Sequence, residues 1–444
     1  TRRLRAAGHR VVAVKSSPSP SETGPLMVFG DARDPQVLRA ASVARADALY
    51  ACEPDSPANA AIALAASQVR PATGPPLNAY AYVRDAELCL TLQARYLGAA
   101  QPGAVRLDFF NTDELAARKL IAAQELARPD GRAPRVLIVG ATTFGRAVLV
   151  EIARQWRLLH PHDLGTLPVT LVDRGATVAV IALIQRYPFL RQVCRFTMYD
   201  RDLLRVLANG DLHRAPDRVF ICHEREEHAL KSALSAERFW RGGPLSVVVR
   251  LDQLAGIRTA IGAADHGGLF GEASPRLRIF GVIDTACDPG LLGEDLIERL
   301  ARAIHDRYRM SRLREGDTPL SNPSTVRWEQ LAPDRQESNR EQARDIGRKL
   351  RRVGCALIPR VGPDDPLEPA EVESLAKMER QRWYDWSVSA GWKYGERLDE
   401  ARKLHPGTHD TWDTVAPYVR QRDREAVREM PHVLADAGFQ IVRV

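Results

Sequence analysis

The chain has no apolar run long enough to cross a bilayer. Its longest near-continuous one, Ala176 to Ile184, falls far short of the about 20 residues a spanning helix needs. Cysteine is sparse: Cys52, Cys89, Cys194, Cys222, Cys287 and Cys355 are widely spaced, with no C-x-x-C pair and no clustered histidines to complete a metal site. This excludes a disulfide scaffold and a zinc module, so no metal is expected, and the thiols read as buried and free in a reducing compartment. Aromatics make up 6% of the chain, and no basic stripe is interleaved with them despite a net charge of +7. The arginines that carry the charge are scattered among carboxylates, which argues against a nucleic-acid surface. No signal peptide, Ser-His-Asp context, P-loop or paired acid motif stands out, so the chain reads as cytoplasmic and without catalytic residues. The stretch HEREEH at His223 to His228 has its histidines five apart rather than the four of a metalloprotease helix, and reads as a strand-end loop. Asp265-His266 before Gly267-Gly268 likewise reads as a loop.

What is present is a length of 444 residues with 45% apolar content, enough for two or three domains with cores of their own. The organising stretch is Arg135 to Val148, RVLIVGATTFGRAV. A short run apolar on both faces, a turn at Gly140 and a helical pattern entered through Gly145 make a strand, phosphate loop and helix, the opening of a Rossmann unit. Candidate strands follow at Val169 to Asp173, Val193 to Met198, Arg218 to Cys222, Leu245 to Leu251 and Leu277 to Ile283, with helical patterns between them. Six strands in that alternation predict a complete doubly wound parallel sheet. Asp173, at the end of the second strand, takes the position of a ribose-binding carboxylate. Thr142 stands at the middle glycine of the fingerprint and crowds the approach of a pyrophosphate, and the spacing to Asp173 is long.

The preceding segment reads as a second copy of the unit. A strand at Arg10 to Val14, the run Met27-Val-Phe-Gly-Asp-Ala-Arg-Asp-Pro35, a helical Gln36 to Ala41 and then Asp47 to Cys52 parallel Arg195 to Asp200 and Asp217 to Cys222, with the same spacing from aspartate to cysteine. A strand at Val105 to Phe110 and a connecting helix at Asn111 to Ala127 close it. The first strand and glycine loop are missing from this copy, whose opening strand ends near Lys15 rather than at an acid, so the expectation is a parent that starts further upstream.

The block VFGDARDPQVLRAASVARADALYACEPDSPAN, followed by FFNTDELAARKL and the second Rossmann opening, resembles the tandem RCK, or TrkA-N, domains that regulate potassium channels and transporters, over about residues 1 to 290. The resemblance implies a nucleotide at the strand ends, involving Gly140, Thr142, Phe144, Gly145 and Asp173. It also implies a dimer and a cytosolic gating assembly whose pore helices lie elsewhere. The other reading keeps both sheets as scaffold and dimer surface with no nucleotide.

Beyond Gly290 the pattern changes to long helices with tryptophans, and a second repeat emerges. Leu300 to Tyr308 aligns with Leu375 to Trp383, Trp328 to Asn339 with Trp412 to Asp423, Asn339 to Leu350 with Asp423 to Leu434, and Leu350 to Gly354 with Leu434 to Gly438. Gly362-Pro-Asp-Asp-Pro366 separates the copies. Each reads as helix, irregular loop, helix and a short extended end, Cys355 to Ile358 and Gln440 to Val444, packing as a pseudo-symmetric pair. Glu337 and Asn339 are placed to start the second helix of the first copy, and Pro431 is expected to shorten or kink its counterpart. The second copy, ERQRWYDWSVSAGWKYGERLDEARKLHP, carries Arg382-Trp383, Gly391-Trp392, Tyr394-Gly395, Asp399, Lys403, His405-Pro406 and Trp412 in the order of the ryanodine-receptor repeat, the RyR domain, which it resembles. The first copy lacks the Gly-Trp-x-Tyr-Gly loop, and Arg380 replaces a histidine common in that family. The resemblance implies a ligand-responsive module in which aromatics at Tyr308 and Trp383 stack on an adenine ring. Arg382, Lys403 and Arg402 would neutralise phosphates, and Trp392, Tyr394, His405 and Trp412 would complete the site. The other reading makes Trp383, Trp392 and Trp412 cores of small helical modules.

The expected organisation is therefore α/β followed by mainly α: 1–128, a Rossmann unit lacking its N-terminal strand and glycine loop; 129–290, a second, complete one; and two RyR modules, 291–361 and 367–444. The expected function is a cytoplasmic, non-enzymatic regulatory region that senses an adenine nucleotide or NAD-type dinucleotide and gates an ion channel or transporter, as a homodimer or higher homo-oligomer with a membrane pore domain upstream or in a partner. The rivals are a nucleotide-activated sensor or effector without a pore, and an NAD-dependent oxidoreductase.

Overall fold

The computed structural model describes residues 2–17, 26–71, 74–98, 104–124, 126, 132–159, 165–212, 214–240, 246–253, 277–286, 296–397, 399, 402–405, 407–408 and 412–444. Cys287, the loop at Asp265 to Gly268, Asp288 to Gly290 and Pro406 lie outside them. The chain forms two compact units, Thr1–Cys89 with Ala104–Gly293, and Leu90–Gly103 with Glu294–Val444.

The first unit is built of parallel strands: β1 (Val12–Lys15), β2 (Leu26–Phe29), β3 (Ala48–Ala51), β4 (Leu77–Tyr82), β5 (Val105–Phe110), β6 (Val136–Val139), β7 (Leu167–Val172), β8 (Cys194–Tyr199), β9 (Arg218–Ile221), β10 (Ser246–Arg250) and β11 (Leu277–Phe280). The last six form one sheet in the order β11-β10-β9-β6-β7-β8, the doubly wound order with its first strand in the middle. All four residues of β6 are buried, as a strand covered by helices on both faces requires. The helix Thr143–Leu159 buries Phe144, Val148, Leu149, Ile152, Ala153 and Trp156 along one stripe. The Trp156 indole N–H finds the Gly165 carbonyl at 2.9 Å.

The earlier strands give β1-β2 and β3-β4-β5. These are the two wings of the same order, with no strand corresponding to β6 hydrogen-bonded between β1 and β3 among the described residues. The repeat read from the sequence aligns β3 with β9 and β2 with β8, which occupy the same places in their sheets. β4 escaped the sequence reading, because its buried positions include Ala79 and Ala81 in the segment LNAYAY, whose alternation is too weakly apolar to stand out. The expected strand Leu277 to Ile283 stops at Phe280. Asp252 Oδ1 accepts the Val282 and Ile283 amides and starts the helix Val282–Ala286 instead. The five described cysteines form no disulfide, but Cys52 is exposed rather than buried.

In the second unit, the helices Leu296–Arg314 and Pro333–Arg352 precede β12 (Cys355–Pro359), and the helices Pro369–Ser389 and Pro417–Asp436 precede β15 (Phe439–Arg443). Between the latter two helices lie the two-residue strands β13 (Lys393–Tyr394) and β14 (Leu404–His405). β12 and β15 pair antiparallel, with Leu357 opposite Ile441, Cys355 opposite Arg443 and Pro359 opposite Phe439. The spacing that aligns Leu350 with Leu434 also aligns Leu357 with Ile441. Equivalent residues therefore face each other at the centre of the ladder, and the copies are related by a local pseudo-twofold through that pair. One core, including Leu300, Ile346, Leu350, Leu375, Leu434 and Phe439, serves both copies.

Two boundary expectations are corrected. The second helix of the first copy begins at Pro333 rather than at Glu337 or Asn339, because proline presets φ at the first helical position and loses no intrahelical bond there. Pro431 does not shorten its counterpart, which runs on to Asp436 and is as long as the first copy's helix.

Candidate functional site

At the C-terminal end of β6, Gly140 has φ of 100°, and its amide continues the β6–β7 ladder to Val172 O at 2.9 Å. A Cβ on Gly145 would lie 2.1 Å from Gly140 O, so no side chain fits there without moving the loop. The Thr142 hydroxyl donates to Cys222 O (2.7 Å) and accepts from Gly145 N (3.2 Å), tying the loop to the end of β9 while capping the helix. Asp173 Oδ2 accepts the Ala141 amide at 3.1 Å and Oδ1 the Gly175 amide at 2.9 Å. Arg146 Nε closes onto Ala141 O at 2.8 Å. The chain's own carboxylate thus takes a loop amide that an incoming anion would use. Phe144 is buried and stacked on Phe280 (5.7 Å), with the Arg250 guanidinium over its ring (5.5 Å), and packs the helix onto the sheet. His223 follows β9, and burial pushes its ring pKa down. His223 and His228 meet edge to face at 6.3 Å, and among the described residues no group is arranged to hold a metal ion.

The C-terminal copies repeat a constellation as well as a fold. In the first, the Trp328 indole donates to Glu298 Oε1 (3.1 Å), Arg340 Nε donates to Glu298 Oε2 (2.6 Å), and the Arg340 guanidinium lies 5.5 Å from the Trp328 centroid. In the second, Arg424 Nε donates to Glu373 Oε2 (2.7 Å), its guanidinium lies 5.4 Å from the Trp412 centroid, and Arg424, with a lesser pull from Trp412, holds the Glu373 carboxyl below its ordinary value. Duplicated at aligned positions, this glutamate, tryptophan and arginine pack the loop of each copy.

At the junction of the copies, Glu379, Lys349 and Arg382 form a buried charge cluster. Lys349 Nζ is 2.5 Å from Glu379 Oε2, and Arg382 reaches Glu379 at 2.7 and 3.0 Å. Burial alone would raise the Glu379 carboxyl, but the charges of Arg382 and Lys349 hold it at about 2.

At the residue next to Glu379, the second copy differs from the first. The first copy's His305 is buried and bonded to Val326 O at 2.9 Å. The aligned Arg380 is equally buried, stacks over Trp383 at 4.2 Å and stands 3.8 Å from Asp423. Its Nε and Nη2, together with Trp392 Nε1, Thr408 Oγ1 and Asp423 Oδ2, have no hydrogen-bond partner. Burial pushes the Asp423 carboxyl up to about 7 against the pull of Arg380. Burial, and then the charges of Arg335, Arg380 and Arg422, push the His405 ring down to about 4, so it is neutral at pH 7. His405 Nδ1 accepts the Gly407 amide at 2.9 Å, which leaves the ring proton on Nε2.

Of the residues singled out in the sequence, Trp383, Trp392 and His405 come together, with ring centroids 4.9 Å (Trp383–His405) and 6.1 Å (Trp392–His405) apart. Tyr394 follows Trp392 on β13, opposite His405, and is exposed. The Tyr308 hydroxyl accepts from Asn322 at 3.0 Å, and the Arg312 guanidinium lies 5.8 Å from its ring centroid. Arg382 is engaged by Glu379. Lys403, in the left-handed region with φ of 52°, caps the helix Pro369–Ser389 through Ala390 O at 2.7 Å. Trp412 belongs to the repeated constellation. Arg380, Asp423, Thr408 and Arg335 were missed. The available signal was Arg380 itself, a charge on the buried stripe Val372, Leu375, Ala376, Glu379.

Residues 1–101 match the TrkA-N domain. No curated protein matches the chain significantly. Among solved structures, the chain is similar to the GsuK channel at 17% identity and a TM-score of 0.41, over 66% of this chain and 64% of that one. It is similar to GsuK bound to ADP at 17% and 0.39, over the same 66% and 64%, and to the GsuK channel bound to NAD at 12% and 0.40, over 84% and 67%.

Proposed function

We propose that this chain is a non-catalytic regulatory region that senses a nucleotide-like ligand and gates an ion channel or transporter as a homodimer or higher homo-oligomer. The observation that carries the reading is the TrkA-N domain at residues 1–101 followed by a second, complete sheet of the same strand order. Tandem sheets of this type leave a crevice outside the strand ends at the point where strand order reverses, between β6 and β9. Here Gly140 to Gly145 would face a phosphate and Asp173 a ribose, on release of Asp173 from the Ala141 amide. The pseudo-twofold pair, read as RyR modules, is the second sensor. Among the described residues no helix is long and apolar enough to cross a membrane, so the pore belongs to another segment or partner.

The test is thermal unfolding against ATP, ADP, NAD, ADP-ribose and cyclic nucleotides. A ligand present at 100 times its Kd stabilises by about 2.7 kcal/mol. A shift lost in Asp173→Asn places the sensor in the sheet, and one lost in Trp383→Ala places it in the C-terminal pair. No shift with any nucleotide overturns the sensor reading. A ligand response in a native assembly that conducts no ion overturns the gating part in favour of a pore-free sensor.

A further inference from the structure

Buried donors without partners are rare in folded proteins, because each forfeits its bonds to water. Here four buried polar side chains of the second copy, Arg380 and Asp423 on its two helices and Trp392 and Thr408 in the loop between them, carry polar atoms without partners. Arg380 is 4% exposed, Trp392 6%, Thr408 6% and Asp423 9%, and each has at least one unbonded polar atom. A Cβ built on Gly407 would lie 3.0 Å from the His405 ring and 3.7 Å from Arg380 Nη1, so only a glycine lets the chain pass this close to the imidazole and the guanidinium, one residue before Thr408. Trp392 meets the same imidazole edge to face, and Arg335, from the first copy, lies over the Trp392 ring at 5.3 Å. The charges of Arg335, Arg380 and Arg422 all act on His405, while Arg380 itself feels the carboxylates of Asp423, at 3.8 Å, and of Glu379, which is already engaged by Arg382 and Lys349.

At the aligned place in the first copy stands His305, whose Nε2 is bonded to Val326 O at 2.9 Å. What distinguishes the second copy is therefore a buried guanidinium with N–H groups in hand, chemistry that suits an oxyanion with at least two oxygens.

We propose that the Arg380 cluster is the phosphoryl-binding end of the ligand site, with the Nε and Nη2 edge of Arg380 as its fork and Trp392 and Thr408 as further donors. This rests on the nucleotide-sensor reading and gives it a polarity. The guanidinium already stacks over Trp383, so the tryptophan orients the anion anchor, and a base must lie beyond it.

The experiment is isothermal titration of the whole chain with inorganic pyrophosphate and with ADP at pH 8. The wild-type chain is expected to bind both, Arg380→Gln to weaken both at least 30-fold, and Arg380→Lys to restore part of the loss. Asp423→Asn, which removes the competing carboxylate, is expected to bind severalfold more tightly, a gain that a merely structural role would not produce. Should Arg380→Gln fail to fold, the Asp423→Asn titration decides alone: tighter binding supports the proposal, and unchanged or weaker binding overturns it. Unchanged affinity in a folded Arg380→Gln overturns the proposal while leaving the sensor reading intact. No binding of pyrophosphate by the wild-type chain overturns the proposal even if nucleotides shift its unfolding.

Discussion

Glu379→Ala is expected to lower the stability of the C-terminal unit by about 3–5 kcal/mol, because removing one partner of a buried ion pair strands the others in a low-dielectric interior. Lys349 is 3% exposed and Arg382 8% exposed, so neither can reach water when Glu379 is gone. Asp345, 3.2 Å from Lys349 Nζ, offsets part of the loss. The same group sets an acid limb. Its ordinary value is 4.5 and its folded value about 2, so between those values the unfolded chain binds the extra proton. Its contribution is fully present above about pH 4.5 and is lost as pH falls toward 2. Chemical denaturation from pH 7 to pH 3 should show a steeper loss in the wild-type chain than in Glu379→Gln. Glu371, also held at about 2 by Arg443, contributes to both alike and cancels in the difference. Equal acid limbs would show that Glu379 is not held ionised by its neighbours.

Gly145→Val is expected to be the most damaging change in the first unit. The new Cβ would stand 2.1 Å from Gly140 O and 3.2 Å from Cys222 Cβ, against backbone on one side and a buried side chain on the other. Neither gives way cheaply, so the helix Thr143–Leu159 must lift from β6. Overpacking of this kind costs roughly 3 kcal/mol, and a fall in Tm of roughly 6–12 °C follows for a domain of this size. Gly165→Ala is the control. Nothing lies within 4 Å of a Cβ there, and a change within about 0.5 kcal/mol is expected. Comparable losses in the two variants would mean that the close approach of helix and strand is not what Gly145 provides.

These two predictions rest on features of different legibility. Gly145 stood out in the sequence, because close packing of a helix on its strand admits one residue type at one place in a short motif. Glu379 did not, since its partner Lys349 lies 30 residues away and the pairing follows from how the copies join. The tryptophans divide in the same way. Trp412 and Trp328 align by spacing, but that each is held by a glutamate and an arginine emerges only from coordinates.

The sequence by itself determined the alternation of strands and helices, the two duplications and the glycine turn, because those depend on hydrophobic period, local backbone geometry and repeated spacing. It also carried the wings β1-β2 and β3-β4-β5 as copies of the complete sheet, apart from β4, whose alanines are too small to mark a buried strand. The tertiary structure alone decided which polar groups are satisfied. Asp173 turns inward to a loop amide, Arg382 is consumed by Glu379, and Arg380 is left with free N–H groups, because hydrogen-bond partners are set by contacts across the fold that no local pattern encodes.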